Sequence, residues 1–223
     1  MAKTTVLLGL ALMTATLQSG LTWGADAAAP VAALVMELSG STKPPLAVHR
    51  EVPAGTRITL SPGTRLSLLH YSTCTVVTFS GGTVAVSEQG LEAAATDILS
   101  KEPGPCPRTH KIAFAGPAPL GGGIVARGFN HDADYADIAS NGLIVITGPH
   151  AADAISADIL DSNRRPVEGS IPIRDESFRL SGALPPKRPY FVNIRFRGRS
   201  EPVEVPISIV ASNSKSLLLL QLE

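Results

Sequence analysis

Apolar and polar residues alternate at period two along much of this chain. GTRITL (Gly55 to Leu60) is followed eight residues later by GTRLSL (Gly63 to Leu68). Each copy opens on glycine and then places Ile58 and Leu60, or Leu66 and Leu68, on one side of a strand, with Thr, Ser and Arg on the other. Such alternation marks a half-buried strand. A degenerate third copy, GGTVAV (Gly81 to Val86), puts Val84 and Val86 on the same inner side. The echo predicts a sheet of short strands that turns back every eight to ten residues. From Asn141 onward seven further runs follow, each bounded by Gly, Pro, Asn or Asp: NGLIVITGP, AISADILD, GSIPIRD, ESFRLSG, YFVNIRFRG, VEVPISIV and KSLLLLQL. Short runs with regular turn signals predict a small β-sandwich.

The clearest strand is RPYFVNIRFRG. It places Tyr190, Val192, Ile194 and Phe196 on one face, and Phe191, Asn193, Arg195 and Arg197 on the other. Between the two β-rich halves the pattern fades. LEAAATDILSK is Ala-rich and reads as a short helix, and EPGPCPRTH breaks any regular element with three prolines around Cys106. The division expected is therefore a leader over 1–27, a β domain over 28–100, an irregular linking segment over 101–140 and a sandwich-like domain over 141–223. The fold class expected is mainly β.

Composition narrows the setting. Hydrophobic residues make up 44% and charged residues 17% of the 223, enough for a buried core. The 20 glycines and 18 prolines suit many short strands better than long helices. Formal net charge is zero, which argues against nucleic acid or an anionic membrane surface as partner. The N-terminus carries Lys3, an apolar run from Val6 to Leu17, and Ala25 and Ala27 at the spacing of an A-x-A cleavage site. That is a signal-peptide pattern with a cut expected after Ala27, leaving a mature chain that starts at Ala28. The alternative, an uncleaved anchor, is opposed by Thr14, Thr16, Gln18 and Ser19, which interrupt the run before the ~20 apolar residues a span needs. The C-terminal LLLLQLE is also too short to span, so no integral membrane span is expected in the mature chain. Export to the periplasm or the exterior makes Cys74 and Cys106 a disulfide pair, closing a loop of roughly 30 residues. Two buried free thiols are the alternative.

Candidate chemistry is sparse. Gly81-Gly82 does not cradle a phosphate, because a strand-like TVAVSEQG follows where a helix N-terminus is needed. It is read as a hairpin turn or a corner. GGGIVARG (Gly121 to Gly128) fails the same test. The cluster GFNHDADYADIASNG offers His131, Asp132, Asp134 and Asp137, but counting from Asp132 it lacks the glycine and closing acid of a calcium loop. No metal site, no cofactor and no catalytic residue is assigned. His49, His70, His110, His131 and His150 have no nucleophile motif beside them. Carboxylate pairs such as Asp158 with Asp161, and Asp175 with Glu176, fall at expected turns. Arg195, Arg197 and Arg199 form a candidate ligand-contact stripe for an anionic glycan or phosphate, since residues two apart on a strand share a face. A solvated face that resists edge pairing is the alternative.

Two resemblances follow from these residues. The stretch Val35 to Leu91 is similar to a FecR-type domain. It shows a Gly in the first strand (Gly40), a polar loop, a basic-x-[L/V]-x-x-G step at Arg50 to Gly55, and a closing Gly-Gly unit at Val77 to Val86. LPPKRPY, with Tyr190 after a proline-rich corner, resembles the tyrosine corner of immunoglobulin-like and fibronectin type III-like sandwiches. The FecR resemblance implies an extracytoplasmic β-module. The leader stands where founding signalling members carry a cytoplasmic helical domain and a spanning helix, so an exported module is implied rather than a sigma-factor relay. The function expected is a non-enzymatic cell-envelope binding or scaffolding protein whose partner is an envelope protein or glycan. The alternatives are an accessory regulator in envelope signalling and a secreted hydrolase.

Overall fold

A computed structural model of the chain describes residues 29–114, 135–211 and 215–223. The leader, the GGGIVARG stretch and His131, Asp132 and Asp134 lie outside the described residues. The chain is mainly β, as expected. The first seven strands form one curled sheet: β1 (Val31–Ser39), β2 (Thr42–Lys43), β3 (Glu51–Pro53), β4 (Arg57–His70), β5 (Thr75–Val86), β6 (Leu91–Ala94) and β7 (Asp97–Pro103). Its main path runs β3-β1-β4-β5-β6, with β2 on β4 and β7 on β5. The inner face carries Ile58, Leu60, Leu66, Leu68, Phe79, Val84 and Val86, all but excluded from solvent. The alternation legible in the sequence is the alternation that is buried.

The short strands expected here are instead long and bent. The second GTR copy and Arg57 to Leu60 of the first lie within the 14-residue β4, and Gly81-Gly82 lies inside β5 rather than in a hairpin turn. Pairing of β4 with β5 jumps from Leu60↔Gly82 to Arg65↔Ser80, so four residues of β4 bulge opposite Gly81. At the same height β5 changes partner from β7 to β6. Three strands thus bend at one line, through 61–64, Gly81-Gly82 and Ala95-Thr96, and the sheet folds over its own core there. Gly81 and Gly82 have φ of +65° and +73°, and Ala95 +50°. A Cβ on Gly82 would meet the Ala95 carbonyl oxygen at 2.0 Å, whereas one on Gly81 would meet open space. The helix expected over LEAAATDILSK does not form. Its residues are β6 and β7, because ladder bonds along β5 satisfy the backbone where an isolated short helix would be marginal.

The segment expected to be irregular also carries strands. β8 (Pro107–Ile112) and β9 (Ala136–Ala139) join seven later ones, one for each run read from the sequence: β10 (Leu143–Thr147), β11 (Ala154–Leu160), β12 (Ile171–Pro172), β13 (Ser177–Arg179), β14 (Pro189–Phe196), β15 (Val203–Val210) and β16 (Leu217–Leu222). They make a middle sheet, ordered β13-β10-β16-β8, and an outer sheet, ordered β12-β11-β14-β15-β9. β8 pairs parallel with β16 and β9 parallel with β15. Those partners lie far along the chain, and local pattern carries no trace of them.

The middle and outer sheets face each other across one core that includes Ile144, Ile146, Leu218, Leu220, Val192 and Ile194. The middle sheet's other face packs on the curled sheet through Val145, Leu217 and Leu219 against Leu34 and Leu69. Cys74, in the turn between β4 and β5, is bonded to Cys106, just ahead of β8. The disulfide expected from the sequence therefore fastens the curled sheet to the middle sheet, and the Gly104 N–H donates to the Cys74 carbonyl at 2.7 Å beside it.

Gly82→Ala should destabilise by about 2 kcal/mol or more, from left-handed backbone strain plus the contact with Ala95, and Gly81→Ala by about 1 kcal/mol from backbone strain alone. Chemical denaturation of the two variants checks this, and equal losses would mean the corner is not tightly packed. Cys74→Ser with Cys106→Ser should lower stability by about 3–4 kcal/mol in the chain-entropy account, read as a fall in the denaturation midpoint. The Thr147 hydroxyl is buried without a hydrogen-bond partner. Thr147→Val should consequently raise the melting temperature, by about 1 kcal/mol of added stability.

Candidate functional site

The outward face of β14 gathers polar and aromatic side chains from three strands and a turn. Register sets Asn193 beside Asp158 on β11 and Glu204 on β15. Cross-strand partners share a face, so the three form a row across the outer sheet. Arg195 donates from Nε and Nη2 to Asp158 Oδ2, at 3.2 and 3.0 Å. On the other flank the Arg164 guanidinium lies 3.6 Å above the Phe191 ring and is paired with Glu204. The Tyr135 ring sits 6.5 Å from Phe191. Arg164 is delivered by the turn DSNRRP, where Asp161 Oδ1 accepts the N–H groups of Asn163 and Arg165 at 2.8 and 2.9 Å. That cap holds Arg164 at φ +62° and aims it back over the sheet.

The candidate arginine stripe is not assembled as one surface. Arg195 lies on the outer face with Asp158. Strand β14 ends at Phe196, and the turn at Gly198 (φ +76°) breaks the alternation. Arg197 lines a depression of about 330 Å³ beside Asp175 and Glu176. Arg199 lies 4.4 Å from the Phe114 ring centroid. Phe114 in turn stacks on His150 at 4.5 Å and meets Phe196 edge-on at 4.9 Å.

Other sequence candidates have structural partners. His150 Nδ1 lies 3.6 Å from Asp153 Oδ2, and Asp137 pairs with Arg108. His70 is fully buried, with Nε2–H donating to the Ser87 carbonyl at 2.8 Å and Nδ1 2.9 Å from the Thr73 hydroxyl. Asp175 and Glu176, both at positive φ, form the two-residue turn from β12 to β13, closed by mutual Arg174 and Ser177 backbone bonds. The Asp175 carbonyl also accepts His49 Nδ1–H at 2.7 Å, which ties the curled sheet to this turn. Tyr71, at the junction of curled and middle sheets, donates its hydroxyl to Glu51 at 3.1 Å. Burial first, and the Glu51 carboxylate second, hold its phenol far above the ordinary range, so it stays a donor.

A depression of about 430 Å³ sits at the proline-rich corner and is lined by Asp161, Glu168, Leu184, Pro185, Arg188 and Tyr190 among others. Asp161 is engaged in its turn and Glu168 accepts the Ser181 hydroxyl. The hydroxyl of the buried Tyr190 donates back to the Pro185 carbonyl at 3.2 Å. Among the described residues no three His, Cys, Asp or Glu side chains come together as a metal site, and no helix is long and apolar enough to cross a membrane. Comparison with known proteins returns no match to a family model, a curated protein or a solved structure.

The row built on Asn193 was missed by the sequence reading. The alternation of β14 placed Phe191, Asn193 and Arg195 together, but Asp158, Arg164 and Glu204 reach them only through strand register and a turn. The arrangement can present a cation held over an aromatic ring, flanked by a paired guanidinium and carboxylate. That is recognition chemistry; it places no base beside a nucleophile.

Proposed function

We propose that the chain is an exported cell-envelope protein that binds or scaffolds and does no chemistry of its own. The observation that carries the reading is the Cys74–Cys106 disulfide. It fastens one β layer to the next, and such cross-links persist in oxidising compartments. The leader pattern at Ala25 and Ala27 and the FecR-like stretch Val35 to Leu91 point the same way. The partner expected is an envelope protein or glycan, and the aromatic and guanidinium face around Phe191 and Arg164 suits either, since flat polar-aromatic surfaces supply rigid contact area at low entropic cost.

The test is fractionation of cells producing the tagged chain, with N-terminal sequencing, thiol titration and a photo-crosslinking residue placed at Phe191. The expected product starts near Ala28, has no titratable thiol after denaturation and gives a reproducible crosslinked partner from the envelope fraction. An intact Met1 with two free thiols in the cytoplasm would overturn export. Turnover of an envelope substrate by the purified chain would overturn the non-enzymatic reading.

A further inference from the structure

β6 and β7 follow one another along β5, so Leu91 to Pro103 forms one continuous edge of the curled sheet. Among the described residues no strand pairs with its outer side. A free edge presents a row of unpaired N–H and C=O groups, which is a template for an added strand. The edge carries devices that oppose pairing with its own copy. Pro103 ends it, the β5 register slips so that Leu99 stands unpaired between Ile98 and Ser100, and Glu92, Asp97 and Glu102 outnumber Lys101.

Two further features separate it from a merely protected edge. Ile98 and Leu99 are the most exposed large apolar side chains among the described residues, at 55% and 49%. Meanwhile Arg108, Lys111, Arg164 and Arg195 each hold an acid, yet Glu92, Asp97 and Glu102 take part in no ion pair. Register sorts these groups by face. Ile98 and Lys101 pair with Phe79 and Val77, whose side chains point into the core. Asp97 and Glu102 pair with Ser80 and Val76 on the opposite face. An added strand would meet Ile98 and the aliphatic stem of Lys101 on one side and the carboxylates of Asp97 and Glu102 on the other.

We infer that this edge takes up, by strand addition, an extended segment of a partner protein in which basic and apolar residues alternate. The basic residues lie over Asp97 and Glu102, and the apolar ones continue the core side past Ile98. This deepens the binding role proposed above by adding a second surface, besides the Phe191 face, with its own partner chemistry, and it does not depend on the compartment.

The mature chain would be titrated with a synthetic peptide of about twelve residues alternating Lys and Val, using as controls a Glu and Val peptide and a Lys and Val peptide N-methylated at alternate positions. Amide hydrogen exchange locates the contact. Binding with slowed exchange within 91–103, weakened about tenfold or more by rising salt, by Asp97→Lys with Glu102→Lys, and by N-methylation, is the expected result. Lys101→Pro supplies a second arm. The Gly104 N–H points inward to Cys74, so by antiparallel alternation the Lys101 N–H points outward. Proline there should abolish uptake while leaving the melting temperature within a few degrees. Equal binding of the Glu and Val peptide, protection elsewhere, indifference to Lys101→Pro in a folded variant, or no binding would each overturn the proposal. None of those results bears on export, which fails separately if the chain keeps Met1.

Discussion

The described structure rests on the central strands of the middle sheet, β10 and β16, being buried on both faces, and β16 is the clearer of the two. Leu217 and Leu219 pack toward the curled sheet, while Leu218, Leu220 and Leu222 pack toward the outer sheet. A strand with polar alternation could serve only one of these cores. A parallel strand enclosed on both faces reads as an unbroken apolar run, which is why LLLL is continuous where strands such as β14 alternate. β10 does the same with Ile144 and Ile146 on one side and Val145 on the other. The two β-rich regions are thus layers of one stack joined through a shared sheet.

The second constraint is the corner in the curled sheet. β4, β5 and the β6–β7 pair must all bend along one line for the inner apolar face to close on itself. Each does so by a different local device: a bulge over 61–64, two glycines at positive φ, and Ala95 at positive φ. The glycine at 82 is demanded by the closeness of the Ala95 carbonyl, not by any ligand. Because Cys74 sits at the far end of the β4–β5 hairpin, the disulfide holds the straight half of the sheet on the middle sheet, and the corner carries the bent half away from it.

How much was legible follows from how local each cause is. The alternation of Tyr190, Val192, Ile194 and Phe196 is decided within one strand, and all four are buried as read. So is the turn logic that separates β10 to β16. The disulfide needed only two cysteines and a compartment. LEAAATDILSK misled because alanine favours helix, while the competing cause, a free side of β5, lies outside the segment. β8 was hidden because its partner β16 follows more than a hundred residues later. The arginine stripe assumed that β14 continued to Arg199, and Gly198 ends that alternation. The site on the outer sheet escaped for a related reason: Arg164 reaches Phe191 from a turn whose shape depends on the Asp161 cap.

The distribution of charge then separates the two ends of the stack. On the outer sheet the carboxylates of Asp158 and Glu204 are held by Arg195 and Arg164, so that face is already neutralised and ordered. An incoming charged partner would have to break those pairs before gaining its own. The curled sheet's free edge is the opposite case, with unpaired acids, unpaired backbone groups and exposed apolar side chains along β6 and β7. Among the described residues no strand has to be displaced there, and the sheet behind it is already fixed by its core and by the disulfide. Strand addition gains most where the template is rigid before the partner arrives, since little ordering entropy is left to oppose it. By that argument the outer sheet offers an ordered aromatic face, the middle sheet supplies rigidity, and uptake of an added strand falls to the edge formed by β6 and β7.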